Sequence, residues 1–268
     1  MASMIEFISL ARKRGVIADI LHAAFNLLFA VAVTALVIIF PDTPWPALVL
    51  VLLAKWRVIA VRPRYWWINF LGSLPDLMLG FGVVVLMWQA QIATLGSTTL
   101  VAWPVQVALG LFYAVWLIVI KPQHKHNWVL IQSGLSQFVS LMALFSIAYR
   151  LPLAAAVILG FVATFAAARQ VLGLHEEKSQ TLLSLVWGLA AAELVFAAWH
   201  WTVAYQITPL LKIPQIAIII AVLGFVAERA YAGWRNNQVV QWREISLPLI
   251  FALAVIFLLI FGFSGLWA

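Results

Sequence analysis

The acidic residue with the clearest potential for chemistry is Glu193, which interrupts the apolar run from Ala190 to Val195. A carboxyl group at membrane depth is costly and often functional. Desolvation favours its neutral form, which can exchange a proton. His200 follows seven positions later, on roughly the same face of a helix. The pattern indicates a proton or cation site; the alternative is a protonated glutamic acid that donates a structural hydrogen bond to a neighbouring helix.

A second candidate is Asp76, which faces two cations across a predicted hairpin. Lys55 and Arg57 precede the hairpin tip, near Pro63, and Asp76 follows it. At about 1.5 Å of rise per residue, the acid and the two cations lie within roughly two helical turns in depth. We expect Asp76 to pair with Lys55 or Arg57. The alternative is that both cations extend to the headgroups and never meet the acid.

A polar stripe marks the first apolar segment. Asp19, His22 and Asn26 stand at positions i, i+3 and i+7, which share one face of a helix. Such a stripe can line a polar cavity, but it more often packs against other polar helices, and we favour packing.

Charged residues inside the apolar segments occur in equal numbers of each sign, which predicts pairing because a partner offsets desolvation. The acids are Asp19, Asp76, Glu193 and Glu228, and the bases are Lys55, Arg57, Arg169 and Arg229.

Two loops contain side chains of the kind that bind metals. His124 and His126 flank Lys125 in one loop, and the second loop contains His175 followed by two glutamates. Two histidines and two carboxylates can bind zinc. Because the spacing matches no metal signature, we interpret both loops as solvated and predict neither a metal site nor a cofactor.

The composition identifies the elements that must position these residues. Of 268 residues, 65% are hydrophobic and 9% are charged, whereas soluble domains are about 45–50% apolar and about 25% charged. A soluble globule is therefore excluded. The net charge of +7 is typical of cytoplasmic loops in membrane proteins. The basic residues form no continuous patch, so we expect no nucleic-acid partner.

A bilayer-spanning helix needs about 20 residues, and this template predicts an all-α bundle of nine spans in one transmembrane domain, 1–268. The candidates are Val16–Phe40, Trp45–Val61, Trp66–Trp88, Val101–Ile120, Trp128–Tyr149, Leu151–Ala168, Gln180–Trp201, Ile213–Arg229 and Ile245–Trp267.

The distribution of basic residues predicts the orientation. With the N-terminus in the cytoplasm, 14 of the 16 Lys and Arg residues lie inside, and only Arg150 and Lys212 lie outside. We therefore expect a multi-pass protein of the cell membrane with its C-terminus outside. The main competitor is an even number of spans with the last segment lying flat. Tryptophans mostly mark predicted span ends, with Trp116 and Trp187 as exceptions.

Four hairpin units of similar length follow the first span, at 45–91, 101–150, 151–201 and 213–268. All four share one orientation, which indicates a parallel repeat. The alternative is that common membrane residues coincide at similar positions.

Small residues predict that the sixth and seventh spans pack closely. We expect this contact to hold Glu193 at the edge of a helix–helix interface and out of lipid. The stripes are Ala156, Gly160, Ala163 and Ala167 on one span, and Ser184, Gly188 and Ala192 on the other.

Three function classes fit these features. The first is a transporter or channel-like protein for a small solute or ion, in one version coupled to protons through Glu193. The second is a non-catalytic scaffold or subunit of a larger complex, in which an oligomer or partner subunit covers part of the bundle. The third is an enzyme acting on a lipid-linked substrate at the cytoplasmic face, although no acid–base or nucleophile constellation is recognisable. Membrane lipids are expected partners in all three. Groups that would hold a phosphate in the third class are Arg57, Arg62, Arg64, Arg169 and His175.

Overall fold

The structure is a computed structural model that describes residues 2–94, 101–201, 203–239 and 241–262, and it is almost entirely helical. In this part of the chain, eight helical segments are long and apolar enough to cross a membrane. The α-helices are α1 (Ala2–Ile39), α2 (Trp45–Leu53), α3 (Trp56–Ile59), α4 (Trp66–Ala93), α5 (Trp103–Val115), α6 (His126–Ser146), α7 (Leu153–Leu174), α8 (Gln180–His200), α9 (Gln215–Asn237) and α10 (Trp242–Phe257). Short 3-10 turns cover Pro63–Tyr65 and Ala148–Arg150, and π turns extend α5 over Trp116–Ile120 and α10 over Leu258–Gly262.

The predicted second span, Trp45–Val61, is not one continuous helix. It divides into α2 and the single turn α3, and Lys55 lies between them outside helical geometry. The Lys55 ammonium is bound by the Asp76 carboxylate of α4. The interruption between α2 and α3 therefore lies at the residue whose charged side chain contacts a carboxylate of another helix.

Helices α4 and α6 form the centre of the bundle, because they have the largest buried fraction among the eight candidate spans. Pro75 lies inside α4, and the helix continues through it. A proline inside a membrane helix is tolerated when neighbouring groups satisfy the local backbone. Pro75 lacks the N–H that would bond the Leu71 carbonyl. The Ser136 hydroxyl of α6 donates to a different group, the Pro75 carbonyl, and this bond ties the two central helices together.

The small-residue stripes of α7 and α8 face each other, as the sequence predicts, and all seven residues are buried. A methyl group on Gly160 would lie 2.8 Å from Val195, and one on Gly188 would lie 2.9 Å from Phe161. The expected position of Glu193 was wrong, however. Ala191, Ala192 and Val195 occupy the interface, whereas Glu193 is exposed on the outer side of α8.

A short β-hairpin precedes α9, where the sequence predicts only a connection between the seventh and eighth spans. Strand β1 (Ala204–Thr208) pairs antiparallel with β2 (Leu211–Pro214), so the predicted start of the eighth span at Ile213 falls in a strand. The Tyr205 hydroxyl donates to the Leu259 carbonyl at 3.0 Å. This contact ties the hairpin to the last helical segment.

The bundle has two distinct ends. The basic end contains the chain turns near Lys55, Lys121, His175 and Gln238, and the opposite end contains those near Pro41 and Arg150. Contacts between elements are consistent with these two ends. At the basic end, Lys55 and Lys121 contact the same carboxylate, that of Asp76. At the opposite end, the Trp88 indole donates to the Pro41 carbonyl at 3.1 Å.

Candidate functional site

Asp76 is the centre of a polar cluster at the basic end, which we call the Asp76 cluster: Lys55, Asp76, Trp116 and Lys121. One carboxylate oxygen accepts from Lys55 and also from Lys121, at 2.7 Å from the Lys121 nitrogen. The other oxygen accepts from the Trp116 indole at 2.8 Å. Both oxygens of Asp76 therefore have charged or polar partners.

A π turn at the end of α5 explains how two residues of that segment reach the same carboxylate. In a regular α-helix, residues five apart point about 140° away from each other at 100° per residue. The Lys121 amide instead donates to the Trp116 carbonyl at 2.8 Å, five residues back. This wider turn brings Trp116 and Lys121 to one side of the segment, and such turns occur frequently at functional sites.

The structure thus brings together Lys55 and Asp76, one of the two pairings expected from the hairpin. The side chain of Arg57 lies outside the described part of the chain. Lys121 was missed because it belongs to a different hairpin, and a sequence does not show which hairpins are neighbours. The sequence did mark Trp116 as unusual, because it lies away from the predicted span ends where most of the other tryptophans lie.

A cavity of about 680 Å³ lies between α6, α7, α8 and α9 in the half of the bundle nearer the basic end. Its wall is mainly apolar and includes Trp187, the second tryptophan that departs from the interfacial pattern. Polar groups gather where the cavity approaches the basic end: Asn127, Glu228, Arg229 and Tyr231. The cavity therefore has a mainly apolar wall and a polar end near the basic end of the bundle, and we call this polar end its mouth.

Three side chains that can bind a metal meet beside this mouth, and we call them the mouth cluster: His126, His175 and Glu228. One ligand atom from each lies within 4.8 Å of the other two. The His175 Nε2 atom is 3.9 Å from a Glu228 carboxylate oxygen, and the two imidazole rings meet edge to face at 5.6 Å. Burial lowers the pKa of His175, although the charge of Glu228 acts in the opposite direction.

The position of His175 depends on the turn that ends α7. The Glu177 amide donates to the Leu172 carbonyl at 3.3 Å, and the Glu176 amide donates to the Gly173 carbonyl at 3.2 Å. This is a Schellman motif, and Glu176 has the left-handed conformation that the motif requires, with φ of 49°. The turn directs the chain back toward α9, where Glu228 lies.

Glu177 anchors the same turn to α9. Its carboxylate accepts from the Tyr231 hydroxyl and lies 3.7 Å from the Arg235 guanidinium. The hydrogen bond from Tyr231 is the main reason that the pKa of Glu177 lies below its ordinary value. The Tyr231 ring also packs against the His175 ring at 5.2 Å. Glu177, through the turn, and Tyr231, through its ring, therefore both hold His175 in place.

The charged residues Glu228, Arg229 and Arg169 lie near the mouth or on adjacent elements. Arg229 lies 3.5 Å from the Glu228 carboxylate, with its guanidinium over the Phe225 ring. Arg169 donates to the Thr181 hydroxyl at 2.7 Å, between α7 and α8.

The remaining predicted site residues lie on exposed surfaces of the chain. Glu193 and His200 are exposed on α8, and the His200 ring packs against Phe196. On α1, Asp19 and His22 are exposed, and Asn26 contacts His22 at 3.1 Å. Neither group lines the cavity described above.

The length and apolar composition of the eight helical segments in the described part of the chain are those of a multi-pass membrane protein. Comparisons of the chain with protein-family models, with curated proteins and with solved structures found no match.

Proposed function

We propose that this membrane protein is a transporter for an amphipathic small molecule, which it binds in the cavity between α6 and α9. The observation that supports this proposal is the cavity itself, with its volume of about 680 Å³ and its apolar wall. Ligand sites in proteins are commonly clefts of roughly 300–1,000 Å³ with a few polar groups that orient the ligand.

The lining indicates the chemistry of the ligand. Leu183, Val186 and Trp187 supply an apolar wall suited to a hydrocarbon chain or ring system. Asn127 and Arg229 at the mouth supply donors for a polar head. An inorganic ion or a sugar fits this wall poorly, because its polar groups would be desolvated without partners.

The proposed orientation places the basic end in the cytoplasm. This follows from the excess of Lys and Arg in the loops of that end. The ligand would then enter from the cytoplasm or from the inner leaflet of the cell membrane. Proton coupling through Glu193 is not part of this proposal, because Glu193 lies on the exposed side of α8.

The binding step can be tested with a lysophospholipid whose acyl chain carries a diazirine, added to the full-length protein in nanodiscs. After irradiation, we expect cross-links on the cavity-lining segments of α6, α8 and α9. Gly224 has room for a side chain, since its nearest neighbour, Trp187, lies 3.5 Å from the added carbon. Gly224→Phe fills the cavity and is expected to abolish these cross-links.

The transport step can be tested in proteoliposomes with a fluorescent lysophospholipid and a membrane-impermeant quencher. We expect the wild-type protein to accelerate transbilayer movement of the probe and Gly224→Phe to return it to the protein-free rate. Gly72→Phe is the matched control, because Gly72 is exposed and has no neighbour within 4 Å. Cross-linking without movement would overturn transport, and a Gly224→Phe variant as active as wild type would overturn the cavity as the site.

A further inference from the structure

The mouth cluster contains a buried nitrogen atom without a hydrogen bond in the part of the chain that the structure describes. The His175 Nε2 atom is inaccessible to solvent and makes no hydrogen bond to the described residues. The Glu228 side chain beside it is 9% exposed. A buried polar atom normally has a hydrogen-bond partner, so an orphan of this kind requires an explanation.

The three side chains of the cluster come from three separate elements. His126 is the first residue of α6, His175 follows the last residue of α7, and Glu228 lies in the second half of α9. Two imidazoles and one carboxylate form a ligand set that suits zinc. Because three elements converge, the ligands are positioned by the tertiary fold and not by one flexible loop.

We propose that His126, His175 and Glu228 bind a zinc ion. Two ligands at about 2.1 Å from a tetrahedral zinc lie about 3.4 Å apart. The observed 3.9 Å between His175 Nε2 and Glu228 needs only a small side-chain movement to reach that separation. Zinc would supply the bonding partner that His175 Nε2 lacks among the described residues.

Three protein ligands leave one position of a tetrahedral zinc ion open. Asn127 and Glu228 belong to both the cavity wall and the immediate surroundings of the cluster. The open position would therefore take a water molecule or an oxygen atom from a molecule in the cavity. Zinc binding itself does not depend on the proposed transport, and the experiment below measures the metal alone.

Glu177 and Tyr231 are positioning residues for this site. The Tyr231 ring contacts His175, and its hydroxyl holds Glu177 at the turn. Groups that orient the ligands of a metal typically change its affinity by about 10–100-fold when they are removed.

The test is calorimetric titration of Zn²⁺ into full-length protein in detergent, purified without a polyhistidine tag and treated with chelator. We expect one ion per chain for the wild type. His126→Ala, His175→Ala and Glu228→Gln should each weaken binding by more than about tenfold. Zn²⁺ should also raise the thermal unfolding midpoint of the wild type but not of these variants. A cooperative unfolding transition in each variant shows, in the same samples, that it is folded.

Matched controls come from the neighbouring residues. His124→Ala removes a histidine two residues from His126, and Glu176→Gln removes a carboxylate next to His175; both should bind Zn²⁺ as the wild type does. Co²⁺ in place of Zn²⁺ should give the visible absorption of a tetrahedral site in the wild type and controls. Wild-type binding below one ion per chain, or equal affinity in the controls and in the three ligand variants, would overturn the proposal.

Discussion

The Asp76 cluster and the mouth cluster lie at the same end of the bundle, but they satisfy their polar atoms differently. Both oxygens of Asp76 have close donors inside the protein, from Lys121 and Trp116 among others. In the mouth cluster, the His175 Nε2 atom makes no hydrogen bond to the described residues. The Glu228 carboxylate lies 3.9 Å from His175 and 3.5 Å from Arg229, which is longer than a hydrogen bond to either.

This difference separates a structural role from a binding role. A buried charge with complete partners holds elements together, and it costs stability when one partner is removed. Buried metal-binding side chains that lack hydrogen bonds, and whose ligand atoms lie farther apart than hydrogen-bonded atoms do, leave space for an ion between them. The Asp76 cluster therefore joins two neighbouring hairpins, whereas the mouth cluster is suited to bind an ion from outside the chain.

The largest effect is expected from Asp76→Asn. Removal of this charge leaves Lys55 and Lys121 close together without a counter-ion, which should lower the free energy of unfolding by about 3–5 kcal/mol. Denaturant titration of the purified protein in detergent measures this loss.

Two controls sharpen that comparison. Asp42→Asn, in an exposed turn at the opposite end, should change stability by less than about 0.5 kcal/mol. Glu228→Gln in metal-free protein should cost less than about 1 kcal/mol, because the ion pair with the half-exposed Arg229 is weak. An equal loss for Asp76→Asn and Glu228→Gln would remove the distinction between the two clusters.

A smaller effect is expected from Trp116→Phe. The substitution removes the indole donor to Asp76, at a cost of about 1.5–3 kcal/mol for a hydrogen bond to a charged group. It also leaves a small cavity, which adds to the loss because Trp116 is fully buried. The same denaturant titration measures it. Trp103→Phe, at an exposed position, is the control and should be close to neutral; a loss as large for Trp103→Phe would show that the hydrogen bond to Asp76 is not the cause.

The smallest effect is expected from Glu177→Gln, which removes the carboxylate that holds the turn of the mouth cluster against Tyr231. The pKa of Glu177 is lowered in the folded protein, so its contribution to stability is present above the ordinary value of 4.5. That contribution is lost as the pH falls through the lower folded value.

The thermal midpoint of wild type should therefore exceed that of Glu177→Gln at neutral pH, and the gap should shrink at about pH 3. Glu176→Gln, one residue earlier and exposed, should show no such narrowing. An equal difference in thermal midpoint between wild type and Glu177→Gln at both pH values would contradict a stabilising role of the ionised Glu177 carboxylate.

Much of the fold was predictable because it follows from local composition. The apolar segments correspond to eight of the nine predicted spans, although their ends differ by several residues. The exception, Trp45–Val61, is the segment whose charged residue has a partner on another helix. The β-hairpin was missed because its two strands, Ala204–Thr208 and Leu211–Pro214, are too short to show a clear alternation of apolar and polar residues.

The candidate sites were less predictable. His126, His175 and Glu228 are each visible in the sequence as polar residues, but about 50 residues separate each one from the next. Glu193 attracted attention because it is alone in an apolar run, and the structure places it on the outside of α8.

By itself, the sequence determined that this chain is a helical bundle suited to a bilayer, because hydrophobicity and span length are properties of continuous segments. Only the tertiary structure decided which polar residues meet. A contact between Asp76 and Lys121, or between His175 and Glu228, depends on which helices are neighbours and on how each is rotated. Those choices are set by packing throughout the bundle, including glycines such as Gly160 that allow close approach.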